Sequence, residues 1–285
     1  MNERTILVTG ATGQQGGSTA NELLELGFRI RALTRKPNDP KARALAERGA
    51  EIVQGDFDDP PSIERALAGV DGIFAVQNTW EAGVEGEEAQ GKRMVALAKD
   101  AGIRQYVYTS VGSAHRNTGI PHFDNKWRVE ETVRGAGFPS YTIFRPVFFM
   151  DNFLSPWFLP GIQEGKLRMG IDPATRLQMI AVRDIGKFVV KAFTGPEEMN
   201  RREIDLAGDE RTGPETAKVL SRVLGRSIEF ERVPIEQVRA WSEDYALMLE
   251  WFDRVGYDVV IEELERELGV RTTKLEEWAA SVTWD

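Results

Sequence analysis

The chain has no cysteine among its 285 residues and only two histidines, His115 and His122. Disulfides, thiolate nucleophiles and cysteine-ligated metals are therefore excluded, and a histidine-rich metal site lacks ligands. Positive charge is also short. The 36 Lys and Arg stand against 45 Asp and Glu, a net charge of −9, with a pI near 5.1. That balance argues against direct nucleic-acid contact and against an anionic membrane surface. No apolar run approaches the ~20 residues needed to span a bilayer. The first apolar run already starts at Ile6, which leaves no room for a signal peptide. There is no internal repeat and no low-complexity tract. A cytoplasmic protein of one large or two smaller domains is expected.

What is present starts at residues 4–17, RTILVTGATGQQGG. The apolar run Ile6, Leu7, Val8 enters a glycine turn, with Gly10, Gly13 and Gly16 spaced by three. Residues 18–26 place Ala20, Leu23, Leu24 and Leu26 as an amphipathic helix would. Glycine is required where a chain turns tightly and lets backbone approach a ligand closely. The helix that follows points unpaired N–H groups and partial positive charge at the turn, which suits a pyrophosphate. The dinucleotide fingerprint is G-x-G-x-x-G, whereas this chain has G-x-x-G-x-x-G. The strand before it and the helix after it supply the context that the motif requires. An ordinary tight turn is the competing reading.

Strand and helix then alternate. Strands are expected at 28–33, 51–54, 72–76, 105–109 and 141–144, and helices at 41–48, 60–67, 85–101 and 125–134. Pro60 and Pro61 open one of these helices. This rhythm predicts an α/β fold, a doubly wound parallel sheet of Rossmann type over residues 1–147. Residues 148–285 lose the rhythm and predict a smaller mixed α/β lobe, part of which returns to the first domain. Its helices are expected at 182–193, 216–224, 235–252 and 274–280, with strands at 203–206 and 227–232. Thr273 and Glu276 fit a capping box for the last helix.

In such sheets ligands bind at the carboxyl ends of strands, so the residues just past each strand carry the information. After the second strand stand Thr34, Arg35 and Lys36, where a site that prefers NAD carries an acid for the ribose hydroxyl. Two cations there suit the 2′-phosphate of NADP, and suit a solvated basic loop as well. After the third strand, Asp56 is able to accept from an adenine amine and Phe57 to face the ring. A turn in which Asp56 bonds nearby backbone is the alternative. Gln77, Asn78, Thr79 and Trp80 follow the fourth strand, and Asn78 also reads as a turn residue. Ser110 and Ser113 follow the fifth and have the chemistry to orient a carbonyl. His122 and Lys126 are four apart, on one face of a helix. Both are equipped for proton transfer, but i,i+4 polar pairs are also common on solvated helices. The aromatic run Phe148, Phe149, Phe153, Trp157 and Phe158 fits either an apolar pocket or packing between lobes.

Together these segments resemble the NmrA-like family, an atypical branch of the short-chain dehydrogenases/reductases, and within it the NADP-binding redox sensors. The resemblance runs through nearly the whole chain. It is carried by VTGATGQQGGS (8–18), LTRKP (33–37), GAEIVQGDFDD (49–59), QNTWE (77–81), QGKRMVALAKDAGI (90–103), HFDNK (122–126) and FFMDNFL (148–154). It implies that Gly10, Ala11, Thr12, Gly13, Gln14, Gln15 and Gly16 hold the pyrophosphate and that Arg35, beside Lys36, takes the 2′-phosphate. Asp56 and Phe57 would border the adenine, and Gln77 and Asn78 would line the cofactor's path. Lys126 would reach the nicotinamide ribose, Phe149 and Asn152 the nicotinamide end, and Lys92 would lie near the cofactor. Lys92 also reads as a solvated helix residue. The superfamily's Tyr-x-x-x-Lys has His122 in place of its tyrosine, which leaves His122 and Lys126 as the catalytic candidates. Loss of the tyrosine disfavours alcohol dehydrogenation and sugar-nucleotide epimerisation. The implied function is NADP(H) binding with reduction of a small quinone-like or aromatic acceptor. The alternative is a non-catalytic redox sensor that acts through a protein partner.

Overall fold

A computed structural model describes residues 4–284. Its centre is a seven-stranded parallel sheet built from β1 (Thr5–Val8), β2 (Arg29–Thr34), β3 (Glu51–Gln54), β4 (Gly72–Ala75), β5 (Gln105–Thr109), β6 (Ser140–Pro146) and β10 (Arg202–Leu206). The strand order is β3-β2-β1-β4-β5-β6-β10. The order reverses between β1 and β4, where Val8 pairs with Ala32 on one side and Phe74 on the other. A crevice opens at such a reversal because successive helices leave for opposite faces.

Alternation along each strand decides which face a residue serves. Ile6 and Val8 join Phe74, Val107 and Phe144 under α1 (Gln14–Glu25) and the later α7 (Val182–Thr194), through Leu23, Phe188 and Phe193. Leu7 joins Ile73, Ala75, Tyr106, Tyr108 and Ile143 on the other face. There they meet α3 (Pro60–Leu67), α4 (Thr79–Asp100) and α5 (Pro121–Gly135) through Ile63, Met94 and Val133. The short α2 (Pro40–Glu47) flanks β3 and is capped by Asp39, which accepts from the Lys41 N–H at 2.9 Å. α1 and α7 pack closely, and a Cβ on Gly186 would fall 2.5 Å from Ser18 Oγ.

The second lobe has its own core of Met150, Phe153, Leu167, Met179, Leu220, Leu249, Trp251 and Trp278. It contains β7 (Phe148–Phe149), β9 (Arg176–Ile180) and β11 (Asp209–Thr212) in one small sheet. β8 (Lys166–Met169) and β12 (Glu229–Arg232) form a parallel pair. Around them lie α6 (Leu159–Gln163), α8 (Gly213–Leu224), α9 (Ile235–Trp241), α10 (Glu243–Arg254) and α12 (Leu275–Ser281). α11 (Ile261–Leu268) instead packs against the first core through Leu264 and Leu268. Residues 182–206 likewise return to the first layer, as α7 and as β10 on the edge beside β6.

Several boundaries differ from the sequence reading. α1 starts at Gln14, so Gly16 and Gly17 lie inside its first turns. α4 starts at Thr79, where Asn78 caps it by accepting from the Trp80 N–H at 3.1 Å, and Gly83 (φ 73°) interrupts it. α5 starts at Pro121, which places His122 in a first turn. The expected helix at 235–252 is two helices. Ser242 is extended there (φ −154°, ψ 113°), and its hydroxyl caps α10 by accepting from the Tyr245 N–H at 3.2 Å. The capping box at Thr273 also moves, because Asp184 claims Thr273 through its N–H at 2.6 Å and hydroxyl at 3.1 Å. The cap falls one residue later, where Glu277 accepts from the Lys274 N–H. Among the described residues no helix is long and apolar enough to cross a membrane.

Candidate cofactor and active site

The glycine turn sits at the point where the strand order reverses. Gly10 holds a left-handed backbone (φ 58°), and its carbonyl accepts from the Gly13 N–H at 2.8 Å. Any Cβ on Gly16 would lie 2.2 Å from the Gly10 carbonyl oxygen and 2.5 Å from that of Thr9, so no side chain fits. Thr9 ties the two strand ends together: its hydroxyl donates to the Val76 carbonyl at 3.0 Å and accepts from the Val76 N–H at 2.8 Å. The opening N–H groups of α1 therefore face the crevice, with no acidic residue in the first turn to claim them. Ala11 is buried, Thr12 half-buried and Gln14 exposed. Gln15 is turned across the crevice, where it accepts from the Thr109 hydroxyl at 2.6 Å.

The loops past the next strands are more committed to the protein than the sequence suggested. Arg35 is exposed and ion-paired with Glu81 of α4. Lys36 is exposed, and its N–H donates to Thr34 Oγ1 at 3.1 Å. Asp56 forms a local turn, in which it accepts from the Asp58 N–H at 3.0 Å while its own N–H donates to Ser62 Oγ at 3.0 Å. Phe57 is half-buried against the α3–α5 core, and its carbonyl is held by Arg93 at 2.6 Å. Asn78 is spent as the cap of α4. Lys92 is exposed on the outer side of α4 and paired with Glu88 at 2.6 Å, as a solvated helix residue would be.

Buried polar groups without hydrogen-bond partners are spread through the described residues, several of them around β4, β5 and α5. Both amide atoms of Gln77, the Ser110 hydroxyl, the Tyr108 hydroxyl and Asn125 Oδ1 are buried with no hydrogen bond among the described residues. Such groups are rare in folded proteins and ask for a polar ligand or water. Burial, with the Glu87 charge added, holds the Tyr108 phenol well above its ordinary value. Ser113 is buried in the left-handed region (φ 65°), and its N–H donates to Asp205 Oδ2 at 2.6 Å.

His122 and Lys126 do share one face of α5, and each is bound by a carboxylate that sequence spacing did not reveal. Lys126 Nζ lies 2.5 Å from Oε1 of Glu87, a carboxylate only 1% exposed. Thr79 donates to Glu87 Oε2, as does Asn125 Nδ2 at 2.8 Å. Burial alone would raise the Glu87 carboxyl, but the Lys126 ammonium and these donors hold it below the usual range. His122 is 7% exposed. Its Nδ1 lies 2.5 Å from Oδ2 of Asp244, on α10 of the second lobe. The Trp80 ring stands 5.6 Å from the imidazole. Burial works to raise Asp244, and the close His122 imidazole with the His122 backbone N–H overcomes it, so that carboxyl is also lowered. Glu87 reads locally as one more solvated helix acid, and Asp244 lies 122 residues from its partner, so neither leaves a local signal.

The aromatic run divides. Phe148, Phe153 and Phe158 pack on one another with centroids 5.6–6.1 Å apart inside the second lobe. They are packing residues there. Phe149 and Asn152 are half-buried at the seam between lobes, and Phe149 packs against the first core. Trp157 is 72% exposed, and its ring lies tilted against that of Trp241 with centroids 4.9 Å apart. Among the described residues no cluster of acids and histidines is arranged to hold a metal ion.

Comparison with known proteins agrees with this architecture. A reductase of (4-alkanoyl-5-oxo-2,5-dihydrofuran-3-yl)methyl phosphate from Streptomyces griseus subsp. griseus is 33% identical over 235 residues, covering 82% of this chain and 79% of that protein. The Citrobacter sp. triphenylmethane reductase complexed with NADP(H) superposes with a TM-score of 0.81 at 23% identity, over 98% of this chain and all of that one. NmrA, a negative transcriptional regulator in complex with NAD, also gives 0.81 at 23% identity, over 99% and 96%. The profile of the NmrA-like family matches residues 2–283, and the chain belongs to that family.

Proposed function

We propose that the protein is an NADP(H)-dependent reductase of a small quinone-like or aromatic acceptor. The observation that carries cofactor binding is the α1 N-terminus. It faces the crevice with its opening N–H groups, has no acid in its first turn, and packs so closely on the Gly10 turn that a Cβ at Gly16 would strike the Gly10 and Thr9 carbonyls. The Gln77 amide past β4 is buried without a partner, with Oε1 beside Gly91 of α4. On this reading residues 10–16 bind the pyrophosphate. Arg35 leaves Glu81 for the 2′-phosphate with Lys36 adjacent, which favours NADP over NAD. Asp56, Phe57, Gln77 and Asn78 flank the cofactor, while Phe149 and Asn152 border its nicotinamide end. Lys126 holds the ribose. NADPH, when bound, supplies a hydride. A quinone that accepts one hydride takes up one proton to become a hydroquinone, and His122 is the group placed to move that proton. The family relatives that are reductases support the same class.

A second reading, a redox sensor, is favoured by one observation. Both residues at the catalytic positions are already bound to carboxylates, so neither stands free. On that reading cofactor binding changes a surface that meets a protein partner. Titration with NADPH and NADH, followed by the nicotinamide absorbance with a quinone panel, separates the two. NADPH binding that weakens on Arg35→Ala, with oxidation on adding a quinone, supports the reductase. Binding with a flat trace supports the sensor. Failure to bind either cofactor refutes both.

A further inference from the structure

We propose that Glu81 supplies, from the loop past β4, the acid that is missing from the end of β2. It accepts the adenosine 2′-hydroxyl of NAD(H) and opposes the 2′-phosphate of NADP(H), so one subsite takes either cofactor and Glu81 sets the balance between them. The proposal rests on the reading of residues 10–16 and Arg35 as the cofactor site.

A diol-binding acid ordinarily stands at the end of the second strand, where this chain has Thr34, Arg35 and Lys36. The fold brings one there from elsewhere. β2 and β4 flank β1, so the ion pair of Arg35 with Glu81 joins the loops that leave those strands on either side of the glycine turn. The two residues are 46 apart in sequence, which leaves no local signal. The neighbouring acids are committed to the protein. Asp58 is held by Arg93 at 2.9 Å and Gln90 at 2.8 Å, and Asp56 accepts from the Asp58 N–H.

The side chains of Arg35 and Glu81 are 58% and 55% exposed. A pair so open to water holds weakly, so a ligand that offers either half a better partner parts it. The backbones beneath are fixed. Gln54 Nε2 donates to the Arg35 carbonyl at 3.4 Å, and the Asn78 carbonyl accepts from the Glu81 N–H at 3.2 Å. Glu81 also lies in the first turn of α4, where the helix dipole favours a carboxylate. The chemistry of the two cofactors then divides. An ionised carboxylate accepts and does not donate, so it suits the ribose hydroxyl. A guanidinium donates in a fork and suits the phosphate, which a carboxylate alongside repels. The same Glu81 charge therefore acts with opposite sign on NAD(H) and NADP(H). A carboxylate that only steadied the β4 loop would affect both alike.

The test is a binding titration with NADH and NADPH, run on the intact protein and on Glu81→Ala, Glu81→Gln and Arg35→Ala. Glu81→Ala is expected to weaken NADH about tenfold, as loss of a hydrogen bond to a charged acceptor does. The same variant should tighten NADPH about threefold by releasing Arg35, a gain that shrinks at high salt. Glu81→Gln keeps an acceptor without the charge, so it should tighten NADPH similarly and weaken NADH less. Arg35→Ala should weaken NADPH and spare NADH. Affinities that move in the same direction in Glu81→Ala, or a ratio that does not move, overturn the proposal and leave the cofactor site standing. So does an unmodified protein that binds NADPH and no NADH. NADPH binding that Arg35→Ala does not weaken overturns the Arg35 assignment and the proposal together. A protein that binds neither cofactor refutes the cofactor reading itself.

Discussion

Replacing Glu87 with glutamine tests the charge balance beneath the candidate site. The side chain keeps its shape, and its amide oxygen still accepts from Asn125 or Thr79, but the Lys126 ammonium loses its carboxylate. Glu87 is 1% exposed and the Lys126 side chain 12%. Leaving one half of a buried pair costs about 3–5 kcal/mol, and the residual exposure of Lys126 places this case near the low end, about 3 kcal/mol. At roughly 2–4 °C per kcal/mol for a chain approaching this size, the melting temperature should fall by about 6–12 °C, and urea unfolding should show the same loss. Lys126→Met in the Glu87→Gln background should recover part of it, since both charges are then gone. The sign with pH follows from the depressed Glu87 carboxyl. Its contribution is fully present above the unfolded-state value near about 4.3, and is lost as pH falls through the lower folded value. The gap between the parent and Glu87→Gln should therefore stand at neutral pH and close in acid. A loss under about 1 kcal/mol at neutral pH, or purely additive effects in the double variant, would refute the reasoning.

Gly16→Ala should weaken NADPH binding at least tenfold in a fluorescence titration and destabilise the fold by about 1–3 kcal/mol. The new Cβ meets backbone oxygens at 2.2 and 2.5 Å that no rotamer change can relieve. Ser242→Ala removes the α10 cap and should cost about 1 kcal/mol in urea unfolding; no loss would mean that the helix break between α9 and α10 does not depend on that hydroxyl.

The first half of the fold was legible because its signals are local. A glycine turn between an apolar run and a helix, then repeated βα units, specify a parallel sheet and its handed connections. Gly10 and Gly16 were legible for the same reason: their requirement is a backbone shape within seven residues. The parts that were missed depend on distant partners. Thr273 matches a capping box by pattern, yet its hydroxyl is taken by Asp184, 89 residues away. Residues 235–252 keep a helical pattern through Ser242, and only the tertiary path shows that the helix breaks there. Glu87 looks like any acid in a charged helix until Asn125 and Lys126 close over it. Phe148 and Phe153 are aromatic in either role, and only the second lobe's core decides that they pack.

The pairing of Lys126 has a chemical consequence under the proposed function. In a site that reduces a ketone, charge accumulates on an alkoxide, and an unpaired ammonium nearby would stabilise it. Here the ammonium is matched by a buried carboxylate, and His122 is matched by another, so the pair on α5 brings little net positive charge to the reacting atoms. An acceptor whose reduced oxygen is a phenol tolerates that loss, because a phenolate (pKa about 10) is far less basic than an alkoxide. What such an acceptor still needs is a proton delivered in register, and that task falls to His122. On that reading, the charge balance on α5 suits quinone-like acceptors better than simple carbonyls. Lys126→Met should then spare more of the catalytic rate than His122→Phe, provided both variants are compared at saturating NADPH. The reverse order would show that the ammonium, despite Glu87, stabilises the transition state.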